Sequence, residues 1–392
     1  MTGPGSGSGA VSGSAMRTRA AVLSASGVSG PYAQTRPLQV EELTLDPPGA
    51  GEVLVRVTAA SICHSDLSVV TGVRPRPLPM ALGHEATGVI EEVGVGVSTV
   101  RAGDHVVFAF VPSCGACAPC LSRRPALCEP GARANTEGTL LSGARPFSRG
   151  DERINHHLGV SGFAEHTVVA EASVVPLPPD LPPEQATLFG CATLTGVGAV
   201  LNTAQARPGD CVVVFGLGGV GLAAVMGARL AGCHPVVAVD RVPSKVELAL
   251  KVGASDGLVA DEDVVSAVRE LTHGGADLSF EAAGSAAVLT SAYAATRRGG
   301  MTVAVGLPHP HEQLQVPAVG IVAEERRLVG SYMGSAVPRR DVPKYVRLFR
   351  AGLLPIDALG SGLLTLQEIN RGFDALASAE SVRQVIVMDS VG

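Results

Sequence analysis

Residues 211–240, CVVVFGLGGVGLAAVMGARLAGCHPVVAVD, constrain the fold more than any other stretch of the chain. The apolar run Val212, Val213, Val214, Phe215 predicts a buried strand, and Gly216, Gly218 and Gly221 follow it directly as G-x-G-x-x-G. A second apolar run closes on Asp240, about 20 residues further on. A strand, a glycine turn, a helix and a second strand ending in an acid form a dinucleotide-binding unit in its proper context. Gly216 permits the tight turn, Gly218 lets backbone approach a pyrophosphate, and Gly221 lets helix pack on strand. Gly219 and Val220 open the helix, whose free N–H groups face the anion. Asp240 is placed to accept the ribose hydroxyls and repel a 2′-phosphate, which predicts NAD over NADP; Arg241 beside it works the other way. Residues 211–228 carry no charge and match a membrane span in length alone. The five glycines in that run would weaken a lone helix by roughly 1 kcal/mol each relative to alanine, whereas a strand and a turn use them.

With 392 residues, 46% hydrophobic and 17% charged, the chain is long enough for two domains with sizeable cores. A formal net charge of -6 argues against nucleic acid or an anionic membrane as partner and leaves small molecules as the expected ligands. Residues 1–15, nearly all Gly, Ser and Ala, have neither the basic nor the apolar region of a secretory signal and read as a flexible tail. From Met16 to about Ala170, β-rich runs at 53–57, 89–93, 106–110 and 167–170 alternate with Gly and Pro, the pattern of a mostly β domain. A proline-rich segment at 176–183 leads into 184–202, which reads as one helical stretch. Strands expected at 212–215, 236–239, 257–259, 278–281, 302–305 and 327–330 alternate with helices, the rhythm of an α/β, doubly wound parallel sheet of the Rossmann type. A helix at 342–351 and a strand at 384–388 are expected to return to the first domain. The domains expected are therefore 16–192 together with 333–392, and 193–332.

Four of the eight cysteines are bunched as C-x2-C-x2-C-x7-C: Cys114, Cys117, Cys120 and Cys128. Gly115 and Pro119 turn the backbone between them. Four thiolates on one short loop suit a closed, structural tetrahedral zinc site, and closely spaced cysteines can also hold an iron–sulfur cluster. Metal ligation of this kind points to a reducing, cytoplasmic setting. Cys63 in ICHSD, His84 in LGHEA and Cys191 in FGCAT are ambiguous one at a time, because a lone buried Cys or His is most often structural.

These segments carry a resemblance. With CHSD at 63–66, GHE at 83–85, the cysteine lobe, GCAT at 190–193, GLGGVG at 216–221 and VRQVIV at 382–387, the chain resembles the zinc-dependent medium-chain alcohol dehydrogenases from about Met16 onward. The resemblance implies a GroES-like, mostly β catalytic domain, a Rossmann domain for NAD, and two zinc ions per chain. It implies that Cys63, His84 and Cys191 ligate a catalytic zinc with an open position, at which a substrate oxygen is polarised and its pKa lowered. Asp66 is placed like the carboxylate that orients the ligand histidine, and Glu85 like the acid near the metal. Ser65 matches the hydroxyl that hands the substrate proton outward, His64 and Arg383 match cofactor-pyrophosphate contacts, and Lys245 matches a lysine at the adenosine ribose. One departure is Ser68, which stands where the horse-liver-like branch ends its proton relay in a histidine.

By the same resemblance the substrate pocket includes Phe110, His157, Leu158, Leu307 and Tyr332. His157 is read equally as a polar substrate contact or as a stand-in for an aromatic ring. The segment after Cys128 is similar to that of the long-loop, class III-like members, whose anion-binding arginine is replaced here by Gly131 and whose acids near Gly72 are missing. This argues against a glutathione adduct as substrate. The expected function is NAD-dependent oxidation of an apolar primary or secondary alcohol, or the reverse reduction, by a homodimer. The alternatives are a reductase of carbonyl or polarised C=C bonds on the same scaffold, against which Ser65 stands, and a cofactor-binding protein without turnover.

Overall fold

The computed structural model describes residues 13–379 and 382–388, so most of the tail expected at 1–15 lies outside the described residues. Three sheets organise the chain. Met16–Leu23, Leu38–Leu45, Phe147–Arg149, Glu152–His156 and Met80–Ala81 close a small barrel around Ala20, Val22, Leu43, Leu45, Phe147 and Ile154. Beside it lies a sheet of Val174–Leu177, His105–Phe108, Ala86–Val93, Glu52–Ser61, Gln384–Val387 and Gly362–Leu364, with His166–Ala170 also on Glu52–Ser61.

The third sheet has six strands in the order Asp256–Val259, Val236–Asp240, Val212–Phe215, Ala276–Glu281, Thr296–Ala304 and Arg327–Gly330, all parallel. Taken in chain order this is 3-2-1-4-5-6, the doubly wound arrangement with its switch point beside the central strand Val212–Phe215. The central strand is buried on both faces, which is why it reads as an unbroken valine run. Its following helix, Gly219–Leu230, is buried along most of its length, as the lack of charge before Arg229 in its last turn requires. Among the described residues no single helix is long and apolar enough to cross a membrane.

The long strand Glu52–Ser61 is the seam of the first half. On one edge it pairs with Ala86–Val93. Its other edge is divided: residues 52–56 pair with His166–Ala170, and residues 59–61 pair with Gln384–Val387. The register Ser61 to Val385 puts Arg383 directly under Ile62 and Cys63. The stretch at 184–202 differs from the single helix its pattern suggests. It is broken into Pro183–Ala186, Thr187–Phe189, Ala192–Gly198 and the π-helical Ala199–Ala204, with Cys191 at the break in a non-helical conformation (φ -133°, ψ -72°). The strand expected at 106–110 ends at Phe108, and Val111 turns to φ +63°, which frees Phe110 from the sheet.

His156 is wholly buried by the barrel, stacked on Phe147 at 6.0 Å, with its Nε2–H donating to the Val168 carbonyl at 3.1 Å and its Nδ1 without a partner. Burial pushes its pKa down to about 3, the carbonyl contact only partly opposing this. An unfolded histidine titrates near ~6.5. Between those values the unfolded chain binds the extra proton, so this stability is present above the unfolded pKa and is lost as pH falls toward the folded one, at up to ~1.4 kcal/mol per pH unit. Urea midpoints of wild type and His156→Gln, compared from neutral to mildly acidic pH, are expected to show a shallower fall in the variant. Parallel curves would contradict the assignment.

Candidate active site

The site is built at the ends of elements that sequence separates widely. Strand Glu52–Ser61 delivers Cys63, which caps the short helix His64–Val70 in extended geometry. Asp66, on the first turn of that helix and fully buried, returns one oxygen to the Cys63 backbone N–H at 3.2 Å. Its other oxygen accepts Nδ1–H of His84 at 2.9 Å, since a carboxylate can only accept there. The Asp66 bond thereby fixes the tautomer, and His84 Nε2 is left as a buried lone pair with no hydrogen-bond partner. Cys63, His84, Glu85 and Cys191 offer donor atoms all within 4.8 Å of one another, every one of these residues buried. An orphaned imidazole nitrogen facing two thiols is what a metal centre requires, so these residues fit the expected zinc.

Glu85 is fully buried, with Oε2 accepting the Ser61 hydroxyl at 3.1 Å and Oε1 lying 3.2 Å from Arg383 Nη2 and 3.6 Å from His84 Nε2. Burial pushes its carboxyl up to about 7, with the Arg383 charge pulling the other way. The Cys63 thiol is held well below its usual range by its hydrogen bond with the Cys191 thiol, and Cys191 is raised in turn. One thiolate is thus favoured even before a cation is present. Ser61, Thr187, whose hydroxyl lies 3.2 Å from that of Ser61, and Thr193, whose buried hydroxyl has no partner, are site residues that sequence reading missed. Thr193 stood within the GCAT motif; the other two carry no spacing signal.

The second cluster lies apart on the surface lobe. The Sγ atoms of Cys114, Cys117, Cys120 and Cys128 are within 4.8 Å of one another, and Cys117 to Cys128 is 3.9 Å. Two thiolates on a tetrahedral zinc at ~2.3 Å each would be roughly 3.8 Å apart. Backbone N–H groups of Cys114 and Gly131 point at Cys128 Sγ at 3.2 and 3.3 Å, and that of Cys117 at Cys114 Sγ at 3.3 Å. The Ala116 N–H, 3.5 Å from Cys114 Sγ, and then that of Cys117 bring the Cys114 pKa down to about 7. A side chain at Gly131 would meet the Pro112 carbonyl oxygen at 1.9 Å, so this backbone leaves no room for an arginine.

On the nucleotide side, Gly216 stands at φ +89° and a Cβ on Gly221 would lie 1.8 Å from the Gly216 oxygen, whereas a Cβ on Gly218 would meet nothing within 4 Å. The turn is therefore closed on its inner side and open where a pyrophosphate would approach. Arg383, almost wholly buried, reaches this turn, since a Cβ on Gly219 would touch its Nε at 2.7 Å; its Nη1 donates to the Ile62 carbonyl at 3.2 Å and its Nε has no partner. The guanidinium thus touches both the ligand cluster and the glycine turn. Asp240 accepts Leu217 N–H at 2.6 Å and Val242 N–H at 2.9 Å, using its carboxylate to shape the turn. Lys245 is half-buried on the helix Pro243–Val252.

His64 is exposed and Ser65 half-buried at the start of their helix, and the Ser68 hydroxyl donates back to the Ser65 carbonyl at 2.7 Å. Phe110 packs edge-on to His84 at 5.1 Å and to Tyr332 at 6.3 Å. Leu158 is buried, while Leu307 is half exposed at 52%. His157 is wholly enclosed, its Nδ1 3.4 Å from the same Asp66 oxygen that His84 uses and its ring 5.9 Å from His84.

Removing the Asp66 carboxylate leaves His84 unoriented. Asp66→Ala is expected to weaken zinc retention at the buried site by roughly 10- to 100-fold in competition with a chelator, with the cysteine lobe keeping its own metal. Equal loss from both sites, or none, would contradict this geometry.

The comparisons with known proteins agree with this construction. Residues 49–179 match the alcohol dehydrogenase GroES-like domain and residues 219–351 the zinc-binding dehydrogenase domain. The chain is 38% identical to an NDMA-dependent alcohol dehydrogenase of Amycolatopsis methanolica, over 95% of this chain and 99% of that one. It is 37% identical to a class-3 alcohol dehydrogenase of Cereibacter sphaeroides, over 95% and 100%. The crystal structure of benzyl alcohol dehydrogenase from Acinetobacter calcoaceticus superposes with a TM-score of 0.89 at 30% identity, over 95% and 100%. A GroES-like half carrying the buried donor cluster, joined to a doubly wound nucleotide sheet, places the chain in the zinc-dependent medium-chain alcohol dehydrogenase family, and it is an oxidoreductase of that family.

Proposed function

We propose that this chain catalyses reversible hydride transfer between a primary or secondary alcohol and NAD, giving an aldehyde or ketone, as a cytoplasmic homodimer. The observation that carries the reading is Arg383 bridging the two half-sites: one guanidinium lies 3.2 Å from Glu85 in the ligand cluster and against Gly219 in the fingerprint turn. In this reading Cys63, His84 and Cys191 hold the catalytic zinc, Glu85 stands beside them, and Cys114, Cys117, Cys120 and Cys128 hold the structural one. Bound zinc supplies Lewis acidity toward the substrate oxygen, and bound NAD accepts the hydride.

The chain's own residues do the rest. Ser65 takes the substrate proton, and because the Ser68 hydroxyl is turned back onto the Ser65 carbonyl, the proton passes from Ser65 to solvent. His64, Arg383 and the start of helix Gly219–Leu230 hold the pyrophosphate, while Asp240 and Lys245 hold the adenosine ribose. Phe110 and Leu158 exclude water at the inner pocket, with Tyr332 and Leu307 farther out. His157 stands beside Asp66 and His84, its Nδ1 3.4 Å from the Asp66 oxygen and its ring 5.9 Å from that of His84. Relatives named for alcohol and benzyl alcohol oxidation support this chemistry over reduction of a C=C bond. Eight cysteines without a disulfide support a reducing compartment.

A second copy is supported by one edge of the nucleotide sheet. Arg327–Gly330 is the outermost strand, and helix Ala318–Ala323 before it exposes Val319 at 71% and Val322 at 80%. Apolar side chains so exposed beside an unpaired edge suit a symmetric contact. Light scattering is expected to give a dimer for wild type and a monomer for the Val319→Glu/Val322→Glu double variant; a wild-type monomer would refute this part.

Two zinc per chain and alcohol-dependent NADH formation are expected, with Cys63→Ser losing the activity and one zinc. Asp240→Asn removes the charge and, its amide nitrogen being a donor only, can keep just one of the two backbone contacts; the NAD-over-NADP ratio in kcat/KM, which a looser turn would lower for both cofactors alike, is expected to fall by about tenfold. An unchanged ratio would remove Asp240 as the selecting group.

A further inference from the structure

The residues expected to form the substrate pocket, Phe110, Leu158 and Leu307 among them, are largely apolar, but two arginines lie close to them in the fold. Between helix His64–Val70 and strand Met80–Ala81 the chain reads TGVRPRPLP, and its two arginines were not singled out by any motif. Prolines on either side of Arg76 stiffen the segment. Arg74 Nη2 donates to the Pro308 carbonyl at 2.7 Å, next to the pocket residue Leu307. Arg76 Nη1 donates to the Asn135 carbonyl at 3.1 Å, while its Nε is buried with no partner. Both guanidinium charges bear on the Tyr332 hydroxyl, which feels the Cys191 thiol as well, and the Arg76 charge also reaches His157.

Ring contacts run from the ligand cluster outward, His84 to Phe110 at 5.1 Å and Phe110 to Tyr332 at 6.3 Å, while Arg74 is fastened to Pro308 beside Leu307 and both arginine charges act on the Tyr332 hydroxyl. Among the described residues neither Arg74 nor Arg76 is paired with a carboxylate, and the charge of one opposes that of the other. Two like charges that act on each other, one of them partly desolvated, are relieved when an anion joins them. The planar guanidinium fork with free donors is matched to a carboxylate.

We propose that the substrate is an alcohol or aldehyde bearing a carboxylate at the end remote from the reacting carbon, held by Arg76 and Arg74 beyond Tyr332. This rests on the dehydrogenase reading above and adds the substrate class. The reacting end sits in the apolar inner pocket and the anion at its mouth, so the site measures a molecule with two unlike ends.

The test compares 4-(hydroxymethyl)benzoate with its methyl ester, and 6-hydroxyhexanoate with 1-hexanol, in the zinc-loaded wild-type enzyme with NAD. The acid is expected to exceed its neutral partner in kcat/KM by about tenfold or more, carried by KM, and the advantage should shrink as salt is raised. In Arg76→Gln and Arg74→Gln the acid-to-neutral ratio should fall toward one. A wild-type ratio at or below one overturns the proposal, as does a parallel loss of both substrates in the variants with the ratio intact, which would make the arginines loop supports. Inhibition of 1-hexanol oxidation by 4-methylbenzoate, competitive and relieved by salt, reads the same site without any substitution; its absence also overturns the proposal. No turnover of any of the four alcohols would instead defeat the dehydrogenase reading itself.

Discussion

The buried carboxylate of Asp66 is the constraint on which the site depends. It is wholly enclosed, and an ionised carboxylate in that position is tolerable only if its oxygens are taken up. One oxygen holds the backbone of Cys63 and the other holds the ring of His84, with His157 approaching the latter at 3.4 Å. A single charge therefore sets the position of one candidate ligand and the tautomer of another. The rest of the buried charge follows from it: two thiols and Glu85 accumulate acid character, and Arg383 enters at the same level to offset it.

Arg383 also explains why the two halves act as one site. It arrives on the strand Gln384–Val387, whose register against Glu52–Ser61 leaves it little freedom, and its far side closes on the turn that begins the nucleotide helix. Its charge faces an acidic cluster on one side and the place of a pyrophosphate on the other. The fingerprint turn and the candidate ligand cluster thus share one cation, so neither half-site is electrically independent of the other.

Much of this was legible in the chain because its signals are short-range. The fingerprint turn and the cysteine lobe each lie within a short stretch of chain, and their spacing is met by the fold: Gly221 against Gly216, and four sulfurs in one shell. The break at Cys191 was not legible, because residues 184–202 keep a helical pattern and the interruption lies where Gly190 packs against the Phe108 carbonyl, far off in sequence. Ser61 and Thr187 were hidden for a different reason: their contact joins residues 126 apart, and neither belongs to a patterned motif. Arg74 and Arg76 belong to no motif, and only the fold brings the Pro308 carbonyl to the one and the Asn135 carbonyl to the other. Asp240 was read as a ribose ligand, and its use of both oxygens to pin Leu217 and Val242 emerges only once the turn is closed.

The divided edge of Glu52–Ser61 sets an order of events during synthesis. Residues 52–56 find their partner in His166–Ala170, while residues 59–61 wait for Gln384–Val387, and Arg383 meets the Ile62 carbonyl across 321 positions of sequence. The ribosome must therefore have made the whole nucleotide-binding sheet before the buried acids beside Cys63 receive their neutralising cation. Domains that emerge early fold early, yet this one stays electrostatically unfinished until the chain has returned to it by Gln384–Val387. The seam makes a nascent chain unable to complete its reactive centre before its cofactor-binding half exists.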